Sequence, residues 1–444
     1  MDAKDQNEAL ETIVKLAING GKPVRRELFP VHNTIGEEEK GAALRVLESG
    51  NLSQFLAAWH PDFYGGPAIR EFESCWKEMF SCRHAVSVNS ATSGLIAAVG
   101  ACCIEPGDEV IVSPYTMSAS AIAPVFYGAV PVFADIDDRN FGLSPHSIEQ
   151  RITARTKAII VVHIFGNPAK MDEIMTLARR NKLKVIEDCA QSPLALHKGR
   201  ACGTIGDIGV FSLNYHKHIH TGEGGVITTN DDDLAERCQL IRNHGEAVVD
   251  DKGIQHLSNT HGQNYRLTEL QAAVGIEQLK KLPQLLEIRL SNAAYLAKRL
   301  QCVPGLVLPE VESGCRHVYY TQALKFERMT VGIQRGTFVN AIRAELPSSV
   351  MREDTPVISA GYVKPIYLQP FFQRRASLCS FNCPRYQGQI SYDRGLCPVA
   401  ERMHFEELII HEYMRPGMME RDLDDVARAF EKVADNVAEL QSTQ

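Results

Sequence analysis

Short apolar runs alternate with helical patterns from about Arg83 onward. The strand candidates are His84–Val88, Glu109–Ser113, Val130–Ala134, Ala158–His163, Lys184–Glu187 and Gly209–Leu213. Helical periodicity fills the gaps at Ser93–Cys103, Ala119–Tyr127 and Met171–Asn181. Runs such as Ala158 to Val162 are apolar at every position, which suits strands buried on both faces of a mainly parallel sheet. The alternation therefore predicts an α/β protein whose sheet is covered by helices, with ligands beyond the carboxyl ends of the strands.

The flanks read differently. Residues 5 to 17 place Leu10, Ile13, Val14 and Leu16 at helical spacing and stop at Asn19-Gly20-Gly21, an appended helix. Two more helical stretches, Leu267–Leu282 and Pro283–Leu300, are punctuated by Pro283. Beyond Pro304-Gly305 the elements become shorter and mixed: strand-like Val318–Phe326, helical Thr337–Leu346, a proline- and aromatic-rich region from Pro356 to Arg385, and a last helix over Glu420–Leu440. The expected organisation is an N-terminal helical extension over 1–34, a large domain over 35–285 and a smaller α+β domain over 286–444.

Composition narrows the function. The 444 residues are 44% hydrophobic and 23% charged, with a formal net charge of -7. No Lys/Arg-rich block exists, which argues against a nucleic-acid partner. No run of about 18 apolar residues and no basic head before an apolar segment occurs, so neither a membrane span nor a secretory leader is expected. Twelve cysteines include no C-x-x-C pair, and the expectation is free thiols in a reducing, cytoplasmic setting with no metal.

Three segments carry candidate chemistry. Val86-Ser-Val-Asn89-Ser90-Ala91-Thr92-Ser93-Gly94 runs from a strand into a hydroxyl-rich turn and a helix, a cradle for phosphate or a plain N-cap. Lys184-Val-Ile-Glu187-Asp188-Cys-Ala-Gln191 ends a strand in an acid, which suits a protonated ring nitrogen or an ordinary cap. Phe211-Ser212-Leu-Asn-Tyr-His-Lys217-His-Ile-His-Thr221-Gly-Glu-Gly-Gly225 sets one lysine between a strand and a glycine-rich turn. A nucleophilic lysine must be rigid and partly deprotonated. His216, His218 and His220 alternate with it, on one face if the segment is extended, but no carboxylate or cysteine completes a metal site.

A phosphate cradle, then an acid, then a lysine is the order in which pyridoxal-phosphate sites are built. Here the chain resembles the DegT/StrS family of fold-type-I pyridoxal-phosphate enzymes, the sugar aminotransferases. The resemblance rests on Glu187 to Gln191, Gly206 to Ser212 and Lys217 to Gly225. It extends through Pro106 to Val112, His163 to Gly166, Arg242 to Gly245, Gly262 to Ala273 and Cys397 to Arg402. It implies a mainly parallel seven-stranded sheet. It also implies pyridoxal 5'-phosphate as cofactor, Lys217 as its Schiff-base lysine and proton shuttle, and Asp188 on the pyridinium nitrogen. Gln191 would lie near the ring hydroxyl, with Thr92, Ser93 and Ser212 on the phosphate. Asn264 matches a phosphate ligand given by the neighbouring subunit, which implies a homodimer with shared sites. Arg266 is a candidate for a substrate carboxylate or a structural ion pair. Met117 stands where the family has an aromatic ring stacked on the cofactor, with Tyr115 nearby. The implied reaction moves an amino group from glutamate or glutamine to a keto sugar, commonly nucleotide-linked, or to a related cyclic ketone. The alternatives are sugar dehydration on the same fold and a cofactor-binding regulator without turnover. Some relatives carry His in place of the lysine and are dehydratases; Lys217 is retained here.

Overall fold

The computed structural model describes residues 15–347, 357–375 and 379–441. The large sheet has seven strands. They are β1 (His84–Val88), β2 (Glu109–Val112), β3 (Val130–Phe133), β4 (Thr156–Val162), β5 (Lys184–Asp188), β6 (Ile208–Ser212) and β7 (Gly225–Thr229). Their order is β1-β7-β6-β5-β4-β2-β3. The pairs among β6, β5, β4, β2 and β3 are parallel, whereas β7 is antiparallel to both β1 and β6. β1 and β6 therefore point the same way, and the carboxyl ends of β1, β2, β5 and β6 share one edge.

β7 is the strand that apolar patterning misses. Its sequence, Gly-Val-Ile-Thr-Thr, opens on a glycine and closes on two hydroxyls, yet all five residues are buried. Thr228 and Thr229 donate their hydroxyls to the Gly203 and Asp207 carbonyls, so their burial leaves no unpaired donor.

Helices α1 (Glu37–Ser49), α2 (Pro67–Phe80), α3 (Ala91–Ala101), α4 (Ala119–Phe126), α5 (Pro145–Arg151), α6 (Met171–Asn181) and α7 (Asp232–Arg242) belong to the large unit. The central cluster packs α3, α4 and α7 residues such as Leu95, Val99, Ala121 and Ile241 on Val88, Val112, Ile160 and Ile186 of the sheet. Aromatic residues from the later region, Tyr367, Phe372, Phe381 and Tyr392, join that same cluster.

α8 (Glu269–Leu300) corrects the expected break at Pro283. It is one helix of 32 residues, opened by a Thr268–Gln271 capping box, with Pro283 inside it. Packing against α1 and α2 on one side and α10 (Glu420–Asp435) on the other holds it through the lost hydrogen bond. The expected domain boundary at 285/286 falls within this helix.

The smaller sheet is antiparallel. Its strands are β8 (Leu306–Val307), β9 (Gln322–Phe326), β10 (Ile358–Ala360) and β11 (Leu408–His411), in the order β8-β9-β11-β10. α9 (Arg335–Glu345), α10 and the second half of α8 enclose a core that includes Leu296, Leu324, Phe338, Ile342, Ile409 and Phe430.

Leu10, Ile13 and Val14 of the expected N-terminal helix lie outside the described residues. Leu16 is buried in the smaller core, followed by a short 3-10 turn, Ala17–Asn19. Glu345, fully buried, accepts from the N–H groups of Ala17 (2.7 Å) and Val24 (3.1 Å) and pairs with Lys432 (2.9 Å). The N-terminal segment is thereby strapped to α9 and α10.

Candidate active site

The shared edge of the sheet gathers the expected chemistry. Asp188 ends β5 and is buried. Its Oδ2 accepts from the Ser120 hydroxyl of α4 at 2.6 Å, and its Oδ1 accepts from the Ala190 N–H at 3.1 Å. Each oxygen retains a lone pair for a further donor. The neighbouring Glu187 points to the opposite face, as strand alternation requires. It accepts from His163 (2.9 Å) and from the N–H groups of Gly203, Ile205 and Gly206, so it is structural.

Gln191 is also buried. Its Oε1 accepts from the Phe165 N–H at 2.6 Å, and its Nε2 donates to the Tyr362 hydroxyl at 3.0 Å. Phe165 sits at φ 59°, a left-handed conformation that costs a non-glycine residue about 1–2 kcal/mol. That conformation aims its N–H at Gln191.

Lys217 lies in the turn that follows β6. Its Nζ stands 4.5 Å from the centroid of the Tyr320 ring. Burial pushes its pKa down from 10.5 to about 8, and the charge of Asp188 partly opposes that fall. A lysine in this state is partly free base near neutral pH.

The three histidines do not share a face. Tyr215 to Ile219 form turns and bends rather than extended chain. His218 is buried, with Nε2 at 2.9 Å from the Val318 carbonyl. Desolvation, helped by the Arg289 charge, holds it neutral, well below its usual range. His216 packs on the Tyr215 ring.

The hydroxyl-rich turn caps α3. Ser90 Oγ accepts from the Ser93 N–H at 3.1 Å, and Ser93 Oγ donates to Asn89 Oδ1 at 2.5 Å. Thr92 is exposed at the same helix start. Ser212, at the end of β6, accepts from the Asn214 N–H at 3.3 Å. Gly225 explains the approach of these pieces: a Cβ there would stand 2.8 Å from the Ala91 nitrogen. Only glycine lets β7 run this close to the α3 N-terminus. The result is a hydroxyl-lined helix start beside the end of β6, the donor set that a phosphate ester requires.

Asn264 is exposed. Its Oδ1 accepts from Arg266 Nε at 2.8 Å, and its carbonyl accepts from Asn89 Nδ2 at 3.3 Å. The Tyr265 carbonyl accepts from the Asn89 N–H at 2.8 Å, so this segment borders the α3 cradle. Met117 is 60% exposed just before α4. Tyr115 offers no free ring face. It is fully buried against Tyr362 and His404, and its hydroxyl accepts from the Tyr362 N–H at 2.9 Å.

Sequence reasoning missed Ser120, Tyr320 and Tyr362. Ser120 is the polar member of an otherwise apolar helical run, which is a usable signal. Tyr362 lies in the proline- and aromatic-rich region from Pro356 to Arg385, of which Pro356 and 376–378 lie outside the described residues. Tyr320 carries no local signal.

Residues 35–431 match the DegT/DnrJ/EryC1/StrS aminotransferase family. The chain is 34% identical to an L-glutamine:2-deoxy-scyllo-inosose aminotransferase of Streptomyces lividus, over 96% of this chain and 99% of that one. Among solved structures it resembles an aminotransferase from Psychrobacter cryohalolentis, with TM-score 0.77 and 29% identity, covering 92% of this chain and 100% of the other. It also resembles DesI in the presence of its TDP-sugar product, with TM-score 0.77 and 26% identity over 97% and 99% of the two chains.

Proposed function

The chain belongs to the DegT/DnrJ/EryC1/StrS aminotransferase family and is a pyridoxal-phosphate aminotransferase of fold type I; from that premise we propose how its residues divide the work and what they act on. The observation that carries the reading is Lys217, half-buried with its Nζ 4.5 Å from the centre of the Tyr320 ring, its pKa lowered to about 8 and under the charge of the fixed Asp188 carboxylate.

When bound, pyridoxal phosphate supplies an electron sink that stabilises negative charge on the carbon bearing the amine. Asp188 would hold the ring nitrogen protonated with the lone pairs that Ser120 and Ala190 leave free. Gln191, fixed between Phe165 and Tyr362, would serve the ring hydroxyl. Thr92, Ser93 and Ser212 would hold the phosphate at the α3 N-terminus, where the helix dipole favours an anion. Met117 would offer the ring a polarisable thioether. Lys217 Nζ would accept the proton lost from the donor's α carbon and give it back across the amine nitrogen, the transfer that a base near neutral pKa performs best.

The donor is glutamine or glutamate. The acceptor is a cyclic ketone, either a cyclitol ketone like the 2-deoxy-scyllo-inosose in the name of the Streptomyces relative or a nucleotide-linked keto sugar, a class favoured by the likeness to DesI, whose product is a TDP-sugar. The working form is a cytoplasmic homodimer. α1 and the loop after it expose Leu44, Leu47, Leu52, Leu56 and Trp59, and exposed Asn264 would reach the partner's phosphate. Arg266, beside Asn264, would face a substrate carboxylate.

The experiment is a single-turnover spectrum. Holoprotein is mixed with glutamine or with glutamate, and both the cofactor absorbance and the release of the matching 2-oxo acid are followed. A spectral change with stoichiometric oxo acid in wild type but not in Lys217→Ala supports the reading. No oxo acid from either donor overturns it.

A further inference from the structure

Away from Lys217, three side chains, from α6 and from the loop that carries Glu312 and Cys315, converge on His197. His197 ends the first arm of a small hairpin, Leu196–His197 paired with Arg200–Ala201, and is fully buried. Its Nδ1 lies 3.4 Å from Cys315 Sγ and 3.9 Å from Glu312 Oε2. Its Nε2 lies 3.3 Å from Asp172 Oδ2, at the start of α6. His197, Glu312 and Cys315 form one of two groups among the described residues whose ligand atoms all lie within 4.8 Å of one another. The other group, His163, Glu187 and Cys189, is closed, because Glu187 is consumed by His163 and three backbone N–H groups.

From this geometry we infer that His197, Cys315 and Glu312 form a binding site for a zinc-class divalent cation. Three features support it. The Nδ1–Sγ separation fits a tetrahedral ion, whose bonds of about 2.0 Å to nitrogen and 2.3 Å to sulfur put those atoms roughly 3.5 Å apart. The Asp172 carboxylate stands 3.3 Å from the opposite nitrogen, Nε2, where its charge favours the proton and leaves the Nδ1 lone pair to the metal. The backbone is set beforehand: Leu196 and Arg316 exchange both N–H···O bonds, which fixes the hairpin against the Cys315 loop.

Lys198 does not block the site. It binds Glu312 through Oε1 (2.7 Å), whereas Oε2 is the oxygen nearer His197. Cys315 and Glu312 are partly exposed, so an ion has a path from solvent and water can complete the fourth position. Binding converts the Cys315 thiol to a thiolate, and its proton leaves to solvent; burial, aided by the Glu312 charge, otherwise holds that thiol above its usual range. The same loop continues through Val318, which pairs with Gly166, to Tyr320 over Lys217. A metal here tethers the segment that delivers Tyr320.

The test is equilibrium dialysis of tag-free holoprotein against micromolar zinc chloride, with bound zinc counted by atomic absorption. The expected result is about one zinc per chain in wild type and in Cys302→Ala, whose thiol is exposed elsewhere. That zinc is lost in Cys315→Ser, and Glu312→Gln, a change at a partly exposed position, weakens it at least tenfold. A wild type without stoichiometric zinc, or zinc retained equally by Cys315→Ser and Glu312→Gln, overturns the inference.

Discussion

Ser120 and Asp188, 68 positions apart in sequence, meet through a buried hydrogen bond of 2.6 Å from Oγ to Oδ2. The hydroxyl fixes one carboxylate oxygen, and the Ala190 N–H fixes the other. A hydrogen bond to a charged group contributes about 1.5–3 kcal/mol. Ser120→Ala should therefore raise the dissociation constant for pyridoxal phosphate by roughly tenfold or more, measured by fluorescence titration, while the fold survives. Asp188→Ala should do far worse. An unchanged affinity in Ser120→Ala would sink the positioning role.

Lys217 sets a pH dependence. Its folded pKa, about 8, lies below the unfolded value, so the folded state binds fewer protons above that pH. In the cofactor-free chain this shift bears on stability. The burial penalty on stability is fully present below about pH 8 and fades as pH rises towards 10.5. In cofactor-free protein, Lys217→Met should thus raise the melting temperature more at pH 7 than at pH 10. The stabilisation would be on the order of 1–3 kcal/mol at the lower pH. Equal gains at both pH values would contradict it.

Gly225→Ala places a methyl group 2.8 Å from both the Ala91 nitrogen and the Ser90 carbonyl carbon, which are backbone atoms. Overpacking of this kind costs about 1–3 kcal/mol. The expected outcome is a lower midpoint in urea together with weakened binding of inorganic phosphate and of pyridoxal phosphate. A normal midpoint with normal phosphate binding would show that the cradle has slack.

Glu345 tests the N-terminal strap. Replacing it with alanine removes the carboxylate paired with Lys432, which keeps only the Lys22 carbonyl among the described residues, and leaves the Ala17 and Val24 N–H groups without this acceptor. Breaking a buried pair from one side costs about 3–5 kcal/mol. Limited proteolysis should then cut between residues 15 and 34 well before wild type is cut there. Resistance equal to wild type would place the strap's anchorage elsewhere.

Parallel strands buried on both faces announce themselves as apolar runs, which is why β4 and β5 are legible in the sequence and β7 is not. β7 trades apolar residues for threonines whose hydroxyls find carbonyls only in the folded sheet. Pro283 misleads for a related reason, since packing against α1, α2 and α10 outweighs one missing hydrogen bond. Lys217 and Asp188 are readable because each sits at the end of an apolar strand beside a glycine turn or a second acid. Their supports are not: Ser120, Tyr320 and Tyr362 arrive from distant parts of the chain and have meaning only after packing. The histidines around Lys217 fail differently. Period-2 spacing implies one face only if the chain is extended, and there it turns.

The placement of β7 also constrains how the protein is born. In the large sheet β1 borders only β7. As the chain leaves the ribosome, β1 emerges early and must wait for Gly225–Thr229 before it has an edge to join. Until then Ala85, Val86 and Val88 present a sticky ribbon to anything nearby. Nascent chains that stop short of β7 are natural clients for a chaperone, and fragments cut before it should be insoluble however much of the sheet they contain.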